Sequence, residues 1–533
     1  MTGFTLRRMS GLLAAALMLA SLVGVTTPAL AEKVLRIANM GEPESLDPHK
    51  TSTTGESRIL RQLFEGLVVN DPKANVVPGV AESWTISEDG LTYTFKLRAN
   101  AKWSNGDPVT ASDFVFSFRR IEDPNLRAQY SEVLYPIKNA EEVNTGKAPV
   151  NELGVKAIDA TTLEITLKAS TPYFLQLLTH TTGLPVNPKA VTEHGKDWVK
   201  PVRMISNGAY MLGDVKPQAF IKLVKNPQYW DAGKVTIDTV VFDPSEDRAA
   251  VLKRYRAGEF DIVDDLPTDQ LGWLRQNMPK ELHIAPYAGV YFYTVNVTRP
   301  PFNDARVRQA LAMAVNREVL VERITLAGEL PAYGFVPDGT ADYISQKVPW
   351  AKMNQAARDA EAIKLMTAAG YGPRKPLKFN LNYNTSENHK KIVVAIAAMW
   401  KKLGVEVDLV NTEAKVHFAT MQQGDFEMAR TGWIADYNDA QNYLYLSQTS
   451  TKQQNYARFS NAEFDKLMEQ ASVSGDMRKR AELLQQAETI LLKELPVIPL
   501  YFYVSKNLVS LRVKGWEENP FDVFHVRNLS LAD

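Results

Sequence analysis

Ala429-Arg-Thr-Gly-Trp-Ile-Ala-Asp-Tyr437 sets a cation, Arg430, and an anion, Asp436, six positions apart in an apolar run that reads as a β-strand. Side chains alternate faces along a strand, so positions 430, 432, 434 and 436 share one face, and a ligand lying along it meets both charges. Fully extended, that separation is about 20 Å, and less with a bend at Gly432, which is the scale of a short peptide. Gly432 on the charged face leaves room for a ligand backbone, while Trp433 falls on the opposite face in a supporting position. Two ordinary surface charges are the alternative, and the stretch alone leaves both readings open.

Outward from this strand, element types alternate. Leu91-Thr-Tyr-Thr-Phe-Lys-Leu97 and Leu163-Glu-Ile-Thr-Leu167 alternate apolar with polar residues and read as strands with one wet face, and Val34–Ala38 is a third. Thr110 with Asp113 forms a capping-box pattern that opens a helix through Phe118, and Asp304 caps another through Val315. Ile392, Ile396, Met399 and Leu403 share one helical face, Gly404 supplies the stop, and a strand follows over 405–410. A helix through Leu483, Ala487, Ile490 and Leu491 precedes Pro496–Tyr503, whose prolines suit an edge or crossing strand. The expected class is α/β. At 533 residues the chain is too long for a single core, so two or three globular units with a cleft between them are expected.

Arg7 and Arg8, an apolar run from Leu12 to Val25 and Pro28-Ala-Leu-Ala31 read as a signal peptide over 1–31, cleaved after Ala31. Removing it strips two of the 61 basic residues and none of the 61 acidic ones, leaving 59 against 61, a balance that does not court nucleic acid. Cysteine is absent, which excludes a disulfide framework and a lipid anchor on a cysteine thiol; export without either points to a periplasm of Gram-negative type. The seven histidines show no metal-ligand spacing, and Gly-x-Ser-x-Gly, Ser-x-x-Lys and phosphate-loop signatures are missing. Missing motifs do not by themselves exclude an enzyme, but no residue stands out as catalytic, and the expectation is no cofactor, no metal and no catalytic role. The acidic pairs Asp264-Asp265 and Glu517-Glu518 read as solvated.

Leu63-Phe-Glu-Gly-Leu67, Pro78-Gly-Val-Ala-Glu-Ser-Trp84, Lys102-Trp-Ser-Asn-Gly-Asp-Pro-Val-Thr110, Ser206-Asn-Gly-Ala-Tyr210, Pro300–Arg308, Pro331-Ala-Tyr-Gly334, Asn384-Thr-Ser386 and Gly432–Tyr437 occur in this order along the chain. The series resembles the family-5 extracellular solute-binding proteins that feed ABC importers of peptides, across essentially all of the sequence after residue 31. The resemblance implies a two-lobed periplasmic-binding-protein-like fold of class II type, with three domains and an interlobe ligand cleft. It places domain I over 32–64, 189–288 and 504–533, domain II as an insertion over 65–188 and domain III over 289–503, with the lobes linked near Ala288 and Tyr503. It implies a monomeric receptor for short peptides in extended form, delivering them to an inner-membrane ABC permease. Specificity for a murein tripeptide or another modified peptide is the alternative, and an exported peptidase a remote one.

In that family the peptide ammonium meets a carboxylate and a tyrosine, here Asp436 and Tyr130. Arg430 and His389 coincide with residues that meet the peptide carboxylate, although His389 has capping of the helix to Leu403 as its alternative. Tyr291, Phe292, Asn384, Gly432, Trp433, Tyr503 and Thr54 complete the implied pocket, with core packing as the aromatic residues' alternative. The chain departs from the pattern at Thr325, Met421, Gln422, Ala414 and Ser52, the first two of which replace cations at the carboxylate end. The departures put the length tolerance of the relatives in doubt. His180 matches the family without an assigned role.

Overall fold

A computed structural model describes residues 32–532 except 40, 52 and 453, so the signal-peptide reading and Ser52 lie outside the described residues. The dominant element is an eleven-stranded mixed sheet that runs through both halves of the molecule. In spatial order its main path runs Val405–Thr412, Leu377–Asn384, Met428–Ile434, Leu282–Val295, Val497–Val509, Ile262–Val263, Val34–Asn39, Thr239–Pro244, Phe220–Lys225 and Tyr210–Lys216. A separate antiparallel sheet of four strands is built from Ala81–Ile86, Thr92–Leu97, Thr162–Thr166 and Val155–Asp159.

Local sequence accounts for these elements. The strand Thr92–Leu97 buries Tyr93, Phe95 and Leu97 and turns the alternate residues outward. Thr110 and Asp113 make the expected capping box, and the helix they open continues to Glu122 because Ile121 extends its buried face. Glu387–Trp400 buries Ile392, Val393, Ile396 and Trp400, and Gly404 at φ 73 turns the chain into the next strand. Trp400 is fully buried and donates its indole N–H to Leu311 O at 2.9 Å, so truncating it to Ala would cost about 3–5 kcal/mol.

Two expectations are corrected. Val497–Val509, expected as an edge or crossing strand, is central, paired with Leu282–Val295 on one side and Ile262–Val263 on the other. Pro499 is accommodated at the register shift between Tyr291 and Phe292, where the ladder is already irregular. Asp264 is not solvated but buried in an ion pair with Arg58 at 2.9 Å.

The two long antiparallel strands Leu282–Val295 and Val497–Val509 link the halves, and the ladder between them skips from Pro286 to Val290. One core gathers Leu35, Ile37 and Leu60 with Tyr210, Phe242, Val509 and Leu531, from the beginning, middle and end of the chain. A second runs from Phe95 and Phe114 of the four-stranded layer to Tyr293, Trp400 and Leu491. Between the halves lies a cavity of about 920 Å³, walled in part by both linking strands and by Met428–Ile434. Among the described residues no helix is long and apolar enough to cross a membrane.

Candidate functional site

Met428–Ile434 pairs antiparallel with Leu282–Val295 and parallel with Leu377–Asn384, which fixes its faces. Arg430, Gly432 and Ile434 share one face, as alternation requires, but the strand ends at Ile434 and Asp436 stands in the bend beyond it. Arg430 and Asp436 nonetheless both line the cavity, so the reading of two unrelated surface charges is excluded.

Arg430 donates from Nη1 to Asn384 Oδ1 at 3.1 Å and from Nη2 to the Tyr503 hydroxyl at 2.8 Å, and its guanidinium carbon lies 4.7 Å from the Tyr291 ring centre. Its Nε is buried with no protein partner, and no described carboxylate pairs with it. The result is a held cation with its charge uncompensated by any neighbour, a geometry that suits bidentate recognition of a carboxylate. His389 lines the cavity with Nδ1 at 3.5 Å from the Tyr291 hydroxyl, and burial, then Arg430, hold its pKa well below the ordinary range, so it stays neutral. Ser386, not His389, occupies the cap position of that helix.

Asp436 supplies the opposite charge. Its Oδ2 is buried without a partner, while Oδ1 lies 3.6 Å from His180 Nε2. Burial raises its pKa to about 7, against the opposing influence of Arg61 and an Asn442 hydrogen bond. His180 is no counter-ion: burial, then Arg61, depress its pKa to about 3. Because the Thr182 N–H donates to His180 Nδ1 at 3.3 Å, the ring proton belongs on Nε2, the atom that faces Asp436. Tyr130 lines the cavity, stacks on His180 with ring centres 5.5 Å apart and lies parallel to Trp433 at 6.3 Å. Trp433 is buried and anchored by its indole N–H to Asn442 Oδ1 at 2.9 Å; the same oxygen accepts the Asp436 backbone N–H at 3.0 Å. Asn442 thus fixes the bend that aims Asp436.

Thr54, Asn384, Phe292 and Tyr503 also line the cavity. Tyr291 is not part of the wall: fully buried, it stacks on Tyr501 at 4.7 Å and acts through Arg430. Phe292 is largely core, packed edge-on to Phe335 at 5.0 Å. The expectation for Gly432 is also revised, because a Cβ there would run into the Tyr503 hydroxyl and meet Arg430 Nη2 at 3.2 Å. The absent side chain makes room for the Arg430–Tyr503 hydrogen bond. Of the departures, Met421 is buried and accepts from the Thr431 hydroxyl, whereas Thr325, Ala414 and Gln422 line the cavity.

Sequence reasoning missed Arg61, on the helix Thr54–Leu63, whose charge faces Asp436 and whose Nε is buried without a partner. It also missed Lys506, which lines the cavity and pairs with Glu329 at 3.3 Å. Single charges within amphipathic segments carry no signal that separates them from solvated ones. The two halves also touch through Lys415–Glu44 at 3.7 Å, Lys391–Asp269 at 3.3 Å and Thr268–Asn388 at 3.2 Å.

A model of the bacterial extracellular solute-binding proteins, family 5, middle region, matches residues 75–455. The chain is 41% identical over 515 residues to the periplasmic oligopeptide-binding protein OppA of Escherichia coli K12, covering 96% of this chain and 94% of that one. The structure of the murein tripeptide binding protein MppA of Escherichia coli superposes with a TM-score of 0.90 at 39% identity, over 94% of this chain and 99% of that one. Its unliganded open form gives a TM-score of only 0.71 over 94% of this chain and 98% of that one, so the lobes here are arranged differently from that open form. Haemophilus influenzae OppA in complex with the peptide RPPGFSPFR superposes at 0.89 with 37% identity, covering 94% of this chain and 99% of that one. Sequence match, two-lobed architecture and cleft agree, and the chain belongs to the family-5 bacterial extracellular solute-binding proteins.

Proposed function

We propose that this protein is the periplasmic receptor of an ABC importer, capturing short peptides in extended form and passing them to an inner-membrane permease. The observation that carries the reading is that two opposite charges, Asp436 and Arg430, line one cavity and each keeps a buried polar atom without a partner. A peptide ammonium on Asp436 Oδ2, assisted by the Tyr130 hydroxyl, and a peptide carboxylate on Arg430 beside neutral His389 compensate both. Main-chain groups common to all peptides supply the remaining affinity, while bridging waters let varied side chains fit. No step needs a catalytic group.

Domain III over 289–503 then closes against domain I and the inserted domain II over 65–188, hinging near Ala288 and Tyr503. The protein works as a monomer, since both charges and both lobes come from one chain. Relatives named for oligopeptides and for murein peptides lie at similar distance, so a modified peptide is the second reading. Mass spectrometry of ligand released from protein purified natively decides between them. Heterogeneous linear peptides support general capture, a single murein-derived species the alternative, and a ligand lacking a free ammonium would refute both.

A further inference from the structure

Lys506 occupies a position that the pair Asp436 and Arg430 does not explain. It lies on Val497–Val509, three residues beyond Tyr503, the tyrosine that accepts from Arg430. Its side chain is only 10% exposed, yet it lines the cavity. Nζ lies 3.3 Å from Glu329 Oε1; the other carboxylate oxygen accepts from the Thr325 hydroxyl at 2.7 Å and the Ala327 N–H at 3.0 Å. Glu329 is 1% exposed and is held by those two donors, so it is a fixed post that positions the lysine arm. An ammonium has three donors, and Glu329 uses one of them. The charge of Lys506 is felt at both His389 and Tyr503, which places it at the same end of the cavity as Arg430.

Resting on the peptide reading above, we infer that Lys506, presented by Glu329, is a second carboxylate anchor that receives the C-terminus of peptides longer than those ending on Arg430. Lys506 stands about 10 Å along its strand from Tyr503, so it lies beyond the Arg430–Tyr503 contact, where the terminus of a longer peptide would arrive. Glu329 keeps Lys506 from being an uncompensated buried charge when a short ligand ends on Arg430. It also competes with an arriving carboxylate, so it tempers the affinity for longer peptides.

The test is titration calorimetry of trialanine, tetraalanine, pentaalanine and C-terminally amidated tetraalanine with the wild type, Lys506→Met and Glu329→Gln. Lys506→Met should lower the affinity for tetra- or pentaalanine relative to trialanine about tenfold, the loss of one charge-assisted contact. Glu329→Gln, whose amide oxygen still accepts from Thr325 and Ala327, should shift that ratio the opposite way. The amidated peptide should show neither shift. Equal losses at every length, an amidated peptide that tracks the free acid, or same-direction shifts in the two variants would assign Lys506 to packing and overturn the inference. Wild type that binds none of the free peptides would instead overturn the peptide reading itself, and this inference with it.

Discussion

Asp436→Asn is the most informative perturbation. The substitution keeps the shape of the side chain and leaves the Trp433–Asn442 contact and the Asp436 backbone N–H bond intact, because both depend on Asn442 Oδ1. What it removes is charge. Burial has raised this carboxyl from 3.8 to about 7, which at ~1.4 kcal/mol per pK unit is a penalty of about 4 kcal/mol on the ionised form. A ligand ammonium at Oδ2 relieves that penalty, so the Asn variant should bind free-amine peptides about 3–5 kcal/mol more weakly, a loss of two to three or more orders of magnitude. The pH dependence has a definite sign. With the folded pKa raised, the carboxyl costs stability that is absent below about pH 4 and fully felt above about pH 7; ammonium binding needs the ionised form, so affinity should fall as pH drops through 7. Binding near pH 7 should also release about half a proton, read as a dependence of the calorimetric enthalpy on the buffer's ionisation heat. An Asn variant with wild-type affinity at pH 8, or N-acetylated peptides that bind as well as free ones, would refute the assignment.

Other outcomes follow from the same geometry. Arg430→Met should weaken free-acid tripeptides by about 2–4 kcal/mol while barely affecting their amides; equal losses for acid and amide, measured by calorimetry, would remove Arg430 from the carboxylate site. Gly432→Ala should displace the Tyr503 hydroxyl from Arg430 and cost about 1–2 kcal/mol in the same assay, with free acids hit harder than amides. Glu488 is fully buried and accepts from the Phe335, Val336 and Gln346 N–H groups and the Tyr343 hydroxyl, so Glu488→Ala should lower unfolding stability by about 3–5 kcal/mol in urea melts, and a change under 1 kcal/mol would contradict this account. Unliganded Asp436→Asn should favour the closed form relative to wild type at pH 8, seen as a smaller radius of gyration in solution scattering; an unchanged or larger radius would separate Asp436 from closure.

Local signals in the sequence carried much of this architecture. The capping box at Thr110, the stop at Gly404 and the alternation over 92–97 each depend on residues within a few positions, and each element formed as its pattern implied. The misreadings share one cause, which is that distant partners decide. Pro499 signalled an edge until the register shift opposite it accommodated the missing N–H. Asp264 looked solvated because Arg58, its partner at 2.9 Å, lies about 200 positions away. Tyr291 was expected at the ligand surface, yet the stack with Tyr501 and the guanidinium of Arg430 seal it. The opposed charges of Arg430 and Asp436 were legible; the bend that aims Asp436 was not, since it depends on Asn442.

The charge pattern also links ligand capture to shape. Closing the lobes buries an ionised Asp436 with one oxygen unpartnered, at a cost of about 4 kcal/mol, and encloses the uncompensated Arg430 in the same cavity. Contacts between the halves such as Lys415–Glu44 and Lys391–Asp269 are exposed ion pairs worth about 0–1 kcal/mol each, too little to offset that burden. Converting a mostly open population to a mostly closed one takes about 5.5 kcal/mol of preferential binding to the closed state. Relief of the Asp436 penalty supplies most of that, and a carboxylate on Arg430 is well placed to supply the rest. On the proposed peptide reading, a ligand with a single charged terminus meets only half of the requirement, so closure would report a peptide that is free at both ends.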